Sequence, residues 1–384
     1  SRGLGDVYKR QAQDGKLMGI PQLLQFNTLI ILATLFLAIV GSQILSTNMG
    51  GNNIIYSIII LLLALGLLVV SADFFIEGAK GLARRGGIPE VVIGLTIVSI
   101  GTSLPEILVT STSALNVTEN QEVADFAIGG ILGSVLVQIT LILGFVALVK
   151  GLKIRPSWLN RDGLIMMLSL LLMTFFLISD EGITRLEGII LSSLYIVYIS
   201  WLLYNRKEIM DEESSGEAES IELRSLSWSG AAYFVMVLIG LALAVFAAHH
   251  LVVNASDLAY EMNIPHAIIG TVVSGLGTSL PELTIAFMAA KRSQGVAIGT
   301  LIGSNITDPL LSIGIAATVH PLYLTDAGSE MIMLVILPAS IISTAVALLL
   351  MRTSYEFRKW EGIILIVLYF IFLAVCEYFR RVGF

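Results

Sequence analysis

Cysteine is nearly absent. Cys376 stands alone in 384 residues, which excludes a disulfide scaffold, because the chain holds no second thiol to pair with it. Charge is scarce as well: Asp, Glu, Lys and Arg make up 13% of the residues, about half the share of a soluble domain. The balance is mildly acidic, at −7, and no basic tract stands clear of apolar sequence, so nucleic-acid binding is excluded as a function class. The apolar stretches are continuous and do not alternate with polar residues, which argues against an outer-membrane β-barrel.

What the chain does have is hydrophobic residues, 56% of the total, with a mean hydropathy of +0.88. Apolar runs of ~20 residues recur, long enough as helices to cross a hydrocarbon core of ~30 Å with every backbone bond satisfied internally. The expected fold class is an all-α polytopic membrane protein. Spans are expected near 23–45, 55–79, 88–113, 126–149, 163–179, 187–205, 230–259, 264–290, 295–318, 330–350 and 361–380. The longest polar stretch, Asn205 to Ser227 with Asp211, Glu212 and Glu213, reads as a solvated linker.

If the connections alternate between the two sides, one side collects nearly all the cations: Lys80, Arg84 and Arg85; Lys150 to Arg161; Arg206, Lys207 and Arg224; Lys291 and Arg292; Arg352, Arg358 and Lys359. The other has Arg185, Arg380 and Arg381. The positive-inside rule makes the first side cytoplasmic, the linker 206–228 with it, in an inner or plasma membrane. Residues 18–50 are expected as an extra transmembrane helix that is retained, since its apolar core exceeds a signal peptide's and no small-residue cleavage site stands out. Residues 1–17 are read as non-native or disordered: Ser1 to Gln11 resembles translated adapter sequence, and Met18 is the expected start.

Two identical hexapeptides sit inside apolar spans, Gly101-Thr102-Ser103-Leu104-Pro105-Glu106 and Gly277-Thr278-Ser279-Leu280-Pro281-Glu282, at an offset of 176. Leu67, Ala72, Ala79, Ile88-Pro89 and Ile93-Gly94 recur at the same offset as Leu243, Ala248, Ala255, Ile264-Pro265 and Ile269-Gly270. A second motif follows each: Ala127-Ile128-Gly129 leading to Gly133-Ser134, and Ala297-Ile298-Gly299 leading to Gly303-Ser304. This is a duplication. Each unit (51–205 and 229–384) supplies about five spans, and with an odd number the second unit must enter the membrane from the opposite face. Inverted repeats of this kind build secondary transporters with a site near the midplane.

Proline inside a helix removes one backbone donor and clashes with the carbonyl four residues back. Pro105 and Pro281 therefore free carbonyls around Ser99 to Thr102 and around Gly275 to Thr278. Hydroxyls of Thr102, Ser103, Thr278 and Ser279 lie beside them, and Glu106 and Glu282 follow within a turn. Asp308 adds a third acid one turn after Ser304, with no Lys or Arg in these segments. A carboxylate at mid-bilayer marks a functional site by default. Three of them need protons or a cation, and carboxylate, hydroxyl and carbonyl oxygens suit hard ions such as Ca²⁺. A kink made only for packing would account for one copy but poorly for two with a third acid.

These residues resemble the cation/Ca²⁺ exchanger superfamily, specifically its sodium/calcium exchanger branch of prokaryotic type, over roughly residues 55 to 380; the doubled GTSLPE and the GSNITD at Gly303 to Asp308 carry the likeness. The resemblance implies ten core transmembrane helices as two inverted five-helix repeats. Ion sites would lie between the second and third helices of each, and long first helices would slide past that core. By position it implies Glu106 and Glu282 as shared Ca²⁺ and Na⁺ carboxylates, and Thr102 and Thr278 as Ca²⁺-site carbonyls. Ser103, Ser279, Ser134 and Ser304 would be hydroxyl ligands, Ser99 and Gly275 further carbonyls, and Asp308 a central acid. Gln138 stands opposite Asp308, where this branch usually has Asn and the potassium-dependent branch Asp; Gly130, Thr300 and Val135 replace other expected Asn residues. The implied function is secondary antiport of Ca²⁺ against Na⁺, with no cofactor and no enzymatic activity. The alternatives are Ca²⁺/H⁺ antiport, separable by whether a pH gradient alone drives uptake; an intramembrane hydrolase using Ser103 or Ser279, for which no base is near in sequence; and a cation channel, which buried acids in inverted repeats disfavour. Besides Ca²⁺, Na⁺ and lipid, H⁺ is the remaining expected partner. His249, His250, Asn254, Asp257, Asp73 and Glu77 are expected to line water passages on the long helices, and Glu361 and Glu377 carry no chemistry.

Overall fold

The computed structural model describes residues 20–48, 54–85, 99–154, 156, 159–205, 230–290 and 294–382. The segment 1–17, the linker 206–228, the start of the expected span 88–113 and the cations Arg155, Arg206, Lys207, Arg224, Lys291 and Arg292 lie outside these described residues.

The described chain is almost wholly helical. A leading helix α1 (Ile20–Asn48) precedes α2 (Ile54–Arg85), the short α3 (Ser99–Thr102) and α4 (Leu104–Asn116). Next, α5 (Glu122–Leu136) passes through a π-turn at Val137–Ile142 into α6 (Leu143–Lys150) and strand β1 (Leu152–Lys153). A π-turn at Leu159–Gly163 opens α7 (Leu164–Asp180), and β2 (Gly182–Ile183) leads to α8 (Arg185–Tyr204). The order then repeats. After α9 (Gly230–Glu261) come α10 (His266–Ile269), a π-turn at Gly270–Ser274, α11 (Gly275–Thr278) and α12 (Leu280–Ala290). A π-turn at Asp308–Ser312 joins α13 (Gln294–Thr307) to α14 (Ile313–Val319), followed by β3 (Leu322–Tyr323). Finally α15 (Asp326–Met331) enters α16 (Leu337–Ser354) through a π-turn at Ile332–Ile336, and β4 (Glu356–Phe357) precedes α17 (Lys359–Val382).

Among the described residues, eight helices are long and apolar enough to cross a membrane. They match all the expected spans except 88–113, 264–290 and 295–318, the spans that carry the repeated motifs and are short or broken there. The duplication is visible in the irregularities themselves. π-turns are uncommon, since they open the coil by one residue, yet both third spans carry one, at Gln138 and at Asp308, and both fourth spans carry one near the start.

Two small ribbons show that the halves run in opposite directions. Strand β1 pairs antiparallel with β4, Leu152 opposite Phe357 and Lys153 opposite Glu356. Strand β2 pairs with β3, Gly182 opposite Tyr323 and Ile183 opposite Leu322. One spanning helix, α7, separates β1 from β2, so the two ribbons lie at opposite ends of the molecule. Helix α6 therefore finishes at one end beside β1, and its counterpart α14 finishes at the other beside β3. Corresponding helices are antiparallel, the inverted topology that an odd span count predicts.

Apolar burial divides the protein in two. One cluster unites α4 to α8 with α10 to α17, through residues such as Ile131, Leu136, Leu191, Ile306, Ile332 and Leu365. A second gathers α1, α2 and α9 through Leu32, Ile39, Leu67, Leu68, Ala244 and Leu251, touching the larger body mainly at Val109, Val123, Phe126 and Ile269. Helices α2 and α9 form the most extensive helix pair in the molecule. The leading helix α1 rides on this pair: its Leu32 and Ile39 are buried, and the Phe36 ring lies 4.8 Å from Phe246 of α9.

Polar caps fix the ends of the fifth spans. Thr184 and Glu187 form a reciprocal capping box at the start of α8, the Thr184 N–H donating to Glu187 Oε2 at 2.8 Å. In the second repeat, Glu361 accepts from the Arg358 N–H at 2.7 Å and from the Thr353 hydroxyl at 3.3 Å. Glu361 is thus a cap. Asp125, not singled out by sequence, ties α5 to α15 by accepting from the Thr325 N–H at 3.0 Å and hydroxyl at 2.5 Å.

Candidate cation site

Both hexapeptides break their helix in the same way. Ser103 has φ −84° and ψ 7°, Ser279 φ −83° and ψ 6°, so each leaves helical geometry for one residue. The next helix then starts at Leu104 or Leu280, with proline in its first turn, where the missing N–H is no loss. Upstream, the carbonyls of Gly101 and Gly277 lose the donor that residues 105 and 281 would have supplied. Glu106 and Glu282 project from the first turn beyond each break.

The crossing of α5 with the broken helix α10–α11 brings backbone against backbone. A Cβ at Gly129 would collide with the Ala267 carbonyl oxygen, one at Gly133 with that of Thr271, and one at Gly270 with that of Phe126. At Gly275 a Cβ would stand 2.6 Å from the Gly133 carbonyl carbon. This approach, together with the break, carries Ser134 of the first half to Ser279 of the second.

The polar side chains meet in one buried network. The Ser134 hydroxyl donates to Glu106 Oε1 at 3.0 Å and lies 2.8 Å from the Ser279 hydroxyl. The Ser304 hydroxyl donates to Glu282 Oε1 at 3.2 Å, the same pairing in the second repeat. Gln138 Nε2 reaches Ser279 Oγ and Asp308 Oδ2, each at 3.3 Å. Asn305 Nδ2 donates to Gln138 Oε1 at 2.7 Å and to the Leu301 carbonyl at 2.7 Å. Thr102, Ser103, Thr278 and Gly275 are buried with them, and Thr278 donates to the Ser274 carbonyl at 2.9 Å. Ser99 opens α3 as Gly275 opens α11, one short helix before each break.

Glu106, Glu282 and Asp308 are each at most 2% exposed. Each repels at least one of the others, and among the described residues no Lys or Arg acts on them. Among the described residues, Glu106 Oε2, Glu282 Oε2, Asp308 Oδ1, Ser103 Oγ and Asn305 Oδ1 have no partner in good hydrogen-bond geometry, while the Thr278, Thr102 and Ser103 side chains act on Glu106, Glu282 and Asp308 respectively. An ionised carboxylate costs ~2.5–3.5 kcal/mol at mid-bilayer even with partial relief, so three without basic partners point to a positive guest. A crevice too narrow to hold a water molecule lies beside Glu106, lined by Thr110, Gly130, Ser274 and Thr278. Among the described residues no three His, Cys, Asp or Glu side chains converge on one point. A cation would therefore be held by a mixed set of carboxylate, hydroxyl and carbonyl oxygens, as suits a hard ion.

Gln138, expected opposite Asp308, turns its oxygen towards Asn305 and its nitrogen towards Asp308. Sequence reasoning left Asn305, Thr110 and Ser274 out of the site. Asn305 lies inside the GSNITD motif, whereas the only signal for Thr110 and Ser274 was position, within a turn of Glu106 and Gly275. The histidine pair stays apart: His250 is buried against the Phe246 ring at 4.4 Å, and His249 is exposed. Asp73 and Glu77 are exposed on α2.

The sequence model of the sodium/calcium exchanger protein family matches residues 56–204 and 232–376, beginning after α1 and covering both repeats. The sodium/calcium exchanger MaX1 of Methanosarcina acetivorans is 30% identical over 353 residues, covering 83% of this chain and 98% of that protein. The inner membrane protein YrbG of Escherichia coli is 33% identical over 322 residues, covering 82% and 95%. Among solved structures, the sodium-calcium exchanger NCX_Mj soaked with 10 mM Na⁺ and 10 mM Sr²⁺ superposes with a TM-score of 0.55 at 29% identity, over 84% of this chain and 99% of that one. With the doubled motif, the inverted halves and the acid-lined site all in agreement, the chain belongs to the sodium/calcium exchanger protein family.

Proposed function

We propose that this protein is a secondary antiporter that moves Ca²⁺ one way and Na⁺ the other through a single site. The observation that carries the reading is the symmetric pair Glu106 and Glu282, each held by the serine of its own repeat's second motif and each keeping one buried oxygen with no partner in good hydrogen-bond geometry among the described residues. One divalent ion or several monovalent ions relieve the same repulsion, which is why one site serves both. Occupancy would permit α2 and α9 to slide as a unit across the larger body, since the two bodies have separate apolar cores; the empty, charged site would resist that movement. Hydrolysis fits the site poorly, because the Ser279 hydroxyl is engaged by Ser134 and Gln138 and by no imidazole. The cation-rich connections, including those around β1 and β4, are taken as the cytoplasmic face.

Purified protein in sealed vesicles tests the coupling. With Na⁺ inside and Ca²⁺ outside, Ca²⁺ uptake should follow the Na⁺ gradient and stop when Na⁺ is equal on both sides. A pH gradient alone should drive none; uptake driven by the pH gradient with no Na⁺ present would replace this reading with Ca²⁺/H⁺ exchange.

A further inference from the structure

We propose that His266 is a positioning residue for the transport step: through Ser256 it latches the sliding helix α9 to the larger body, and the latch tightens when the imidazole takes up a proton. Its effect on transport rests on the antiport reading above; its geometry does not. Helix α9 ends at a joint. Asn263 takes the left-handed conformation at φ 50°, the Ile264 N–H returns to the Ala259 carbonyl at 2.9 Å, and Pro265 leads directly into α10. On one side of the joint Ala255, Leu258 and Ala259 pack with α1 and α2; on the other, Ala267 and Ile268 pack in the larger body. Across it, the Ser256 hydroxyl stands 2.7 Å from His266 Nε2. Asn120, between α4 and α5, donates to the same hydroxyl from Nδ2 at 3.3 Å. Ser256 of the mobile pair is thus held by two side chains of the larger body.

The partners fix the direction of each hydrogen bond. Asn120 Oδ1 accepts from the Glu122 N–H at 3.0 Å, which leaves Nδ2 as the atom facing Ser256. Glu122 Oε2 lies 3.1 Å from His266 Nδ1, and an ionised carboxylate only accepts, so Nδ1 carries the hydrogen. In the neutral ring Nε2 then accepts from the Ser256 hydroxyl. Protonation puts a second hydrogen on the ring at Nε2, which now donates to the Ser256 oxygen with the imidazolium charge behind it. A charge-assisted bond of this kind is about twice as strong as a neutral one, and the Glu122 contact becomes an ion pair. The surroundings favour that charge. Among the described residues, the titratable side chains at this end of the elements packed against α10 are, apart from the exposed Tyr260, all acids: Glu122 and Asp125 on α5, Asp257 and Glu261 on α9, Asp326 and Glu330 on α15. Helix α9 cannot slide by more than about 1 Å and keep both Ser256 bonds, since a donor–acceptor separation beyond ~3.5 Å is no longer a hydrogen bond. Acid therefore holds α9 where it stands and slows transport.

Transport rate against pH is the test. Na⁺-driven Ca²⁺ uptake into vesicles is measured with the same pH on both sides, from about pH 8 to about pH 5.5, the interval in which an imidazole titrates. The unmodified protein should slow about fivefold more over this interval than His266→Gln, whose amide still reaches Ser256 but gains no charge. Glu122→Gln should keep the slowing but move its midpoint to lower pH, because the carboxylate that favours the imidazolium is gone; a merely structural role would not move a midpoint. Ser256→Ala, which removes the catch, should lose the slowing as His266→Gln does. Protonation of the buried site acids affects all four proteins alike, so the differences between them read the latch. Equal pH profiles for the unmodified protein and His266→Gln would overturn the proposal. Amide hydrogen exchange on the purified unmodified protein, corrected for the intrinsic effect of pH, needs neither a variant nor transport. Exchange from Val252 to Tyr260 should slow at the lower pH, and unchanged protection there would overturn the proposal as well. A protein with no Na⁺-driven Ca²⁺ flux whose α9 still gains protection in acid fails the antiport reading and supports the latch.

Discussion

Glu282→Gln should abolish Na⁺-driven Ca²⁺ uptake, lowering it by at least ~100-fold, more than the loss typical when a group supporting a metal ligand is removed. Glutamine keeps the length and the oxygen that accepts from Ser304 at 3.2 Å. What it removes is the charge and the second carboxylate oxygen, which among the described residues has no partner in good hydrogen-bond geometry. The fold should survive, because a neutral amide in a buried site with two other acids relieves repulsion. Unfolding midpoints in detergent should therefore hold steady or rise while transport disappears. Glu106→Gln should behave alike, since Glu106 occupies the corresponding place in the other repeat. If either variant retained uptake within a few-fold of the original, the charge pair would not be the carrier of Ca²⁺.

Gly129→Ala should be nearly as damaging by a different route. The added Cβ collides with the Ala267 carbonyl oxygen, and the Ala267 Cα and carbonyl carbon stand only 3.1 Å from it. The obstruction is backbone on both sides, so no side chain can swing away. Overpacking of this kind costs about 1–3 kcal/mol or more. Relief requires α5 to move away from α10, and Ser134 would move with it, away from Ser279 at 2.8 Å. The expected result is at least tenfold slower Ca²⁺ transport together with a lower unfolding midpoint. Gly66→Ala is the matched comparison: on α2 its Cβ would meet only Leu35 methyl carbons at 3.9 Å, an ordinary contact, and alanine is the better helix former by up to ~1 kcal/mol. Transport by that variant should equal the original. Equal loss in both would mean that any added methyl disturbs the protein, and the crossing would have no special part.

The features legible in the sequence are those set by local chemistry or by counting. Proline at 105 and 281 dictates a break whatever surrounds it, and the breaks fall at Ser103 and Ser279 with nearly the same angles. An odd number of spans per unit dictates inversion, which the ribbon pairing of β1 with β4 and β2 with β3 displays. The acids could be found because apolar surroundings make them costly. What could not be read depends on partners far along the chain. The direction of the Gln138 amide is decided by Asn305, 167 residues away, and leaves no local trace. The Asp125 tie to Thr325 spans 200 residues and leaves no local trace. The π-turn at Gln138 follows ordinary helical sequence and has no local signal, whereas the one at Asp308 contains Pro309, whose missing N–H disturbs the helix there.

Ca²⁺ placement in the folded protein is the most direct test of the account. Crystals or frozen particles prepared with Ca²⁺ in low Na⁺ should show density bridging Glu106 and Glu282, with oxygen distances of ~2.3–2.6 Å. That density should fade as Na⁺ replaces Ca²⁺. Clear maps with nothing bound between the two carboxylates in saturating Ca²⁺, or with Ca²⁺ held elsewhere, would contradict it.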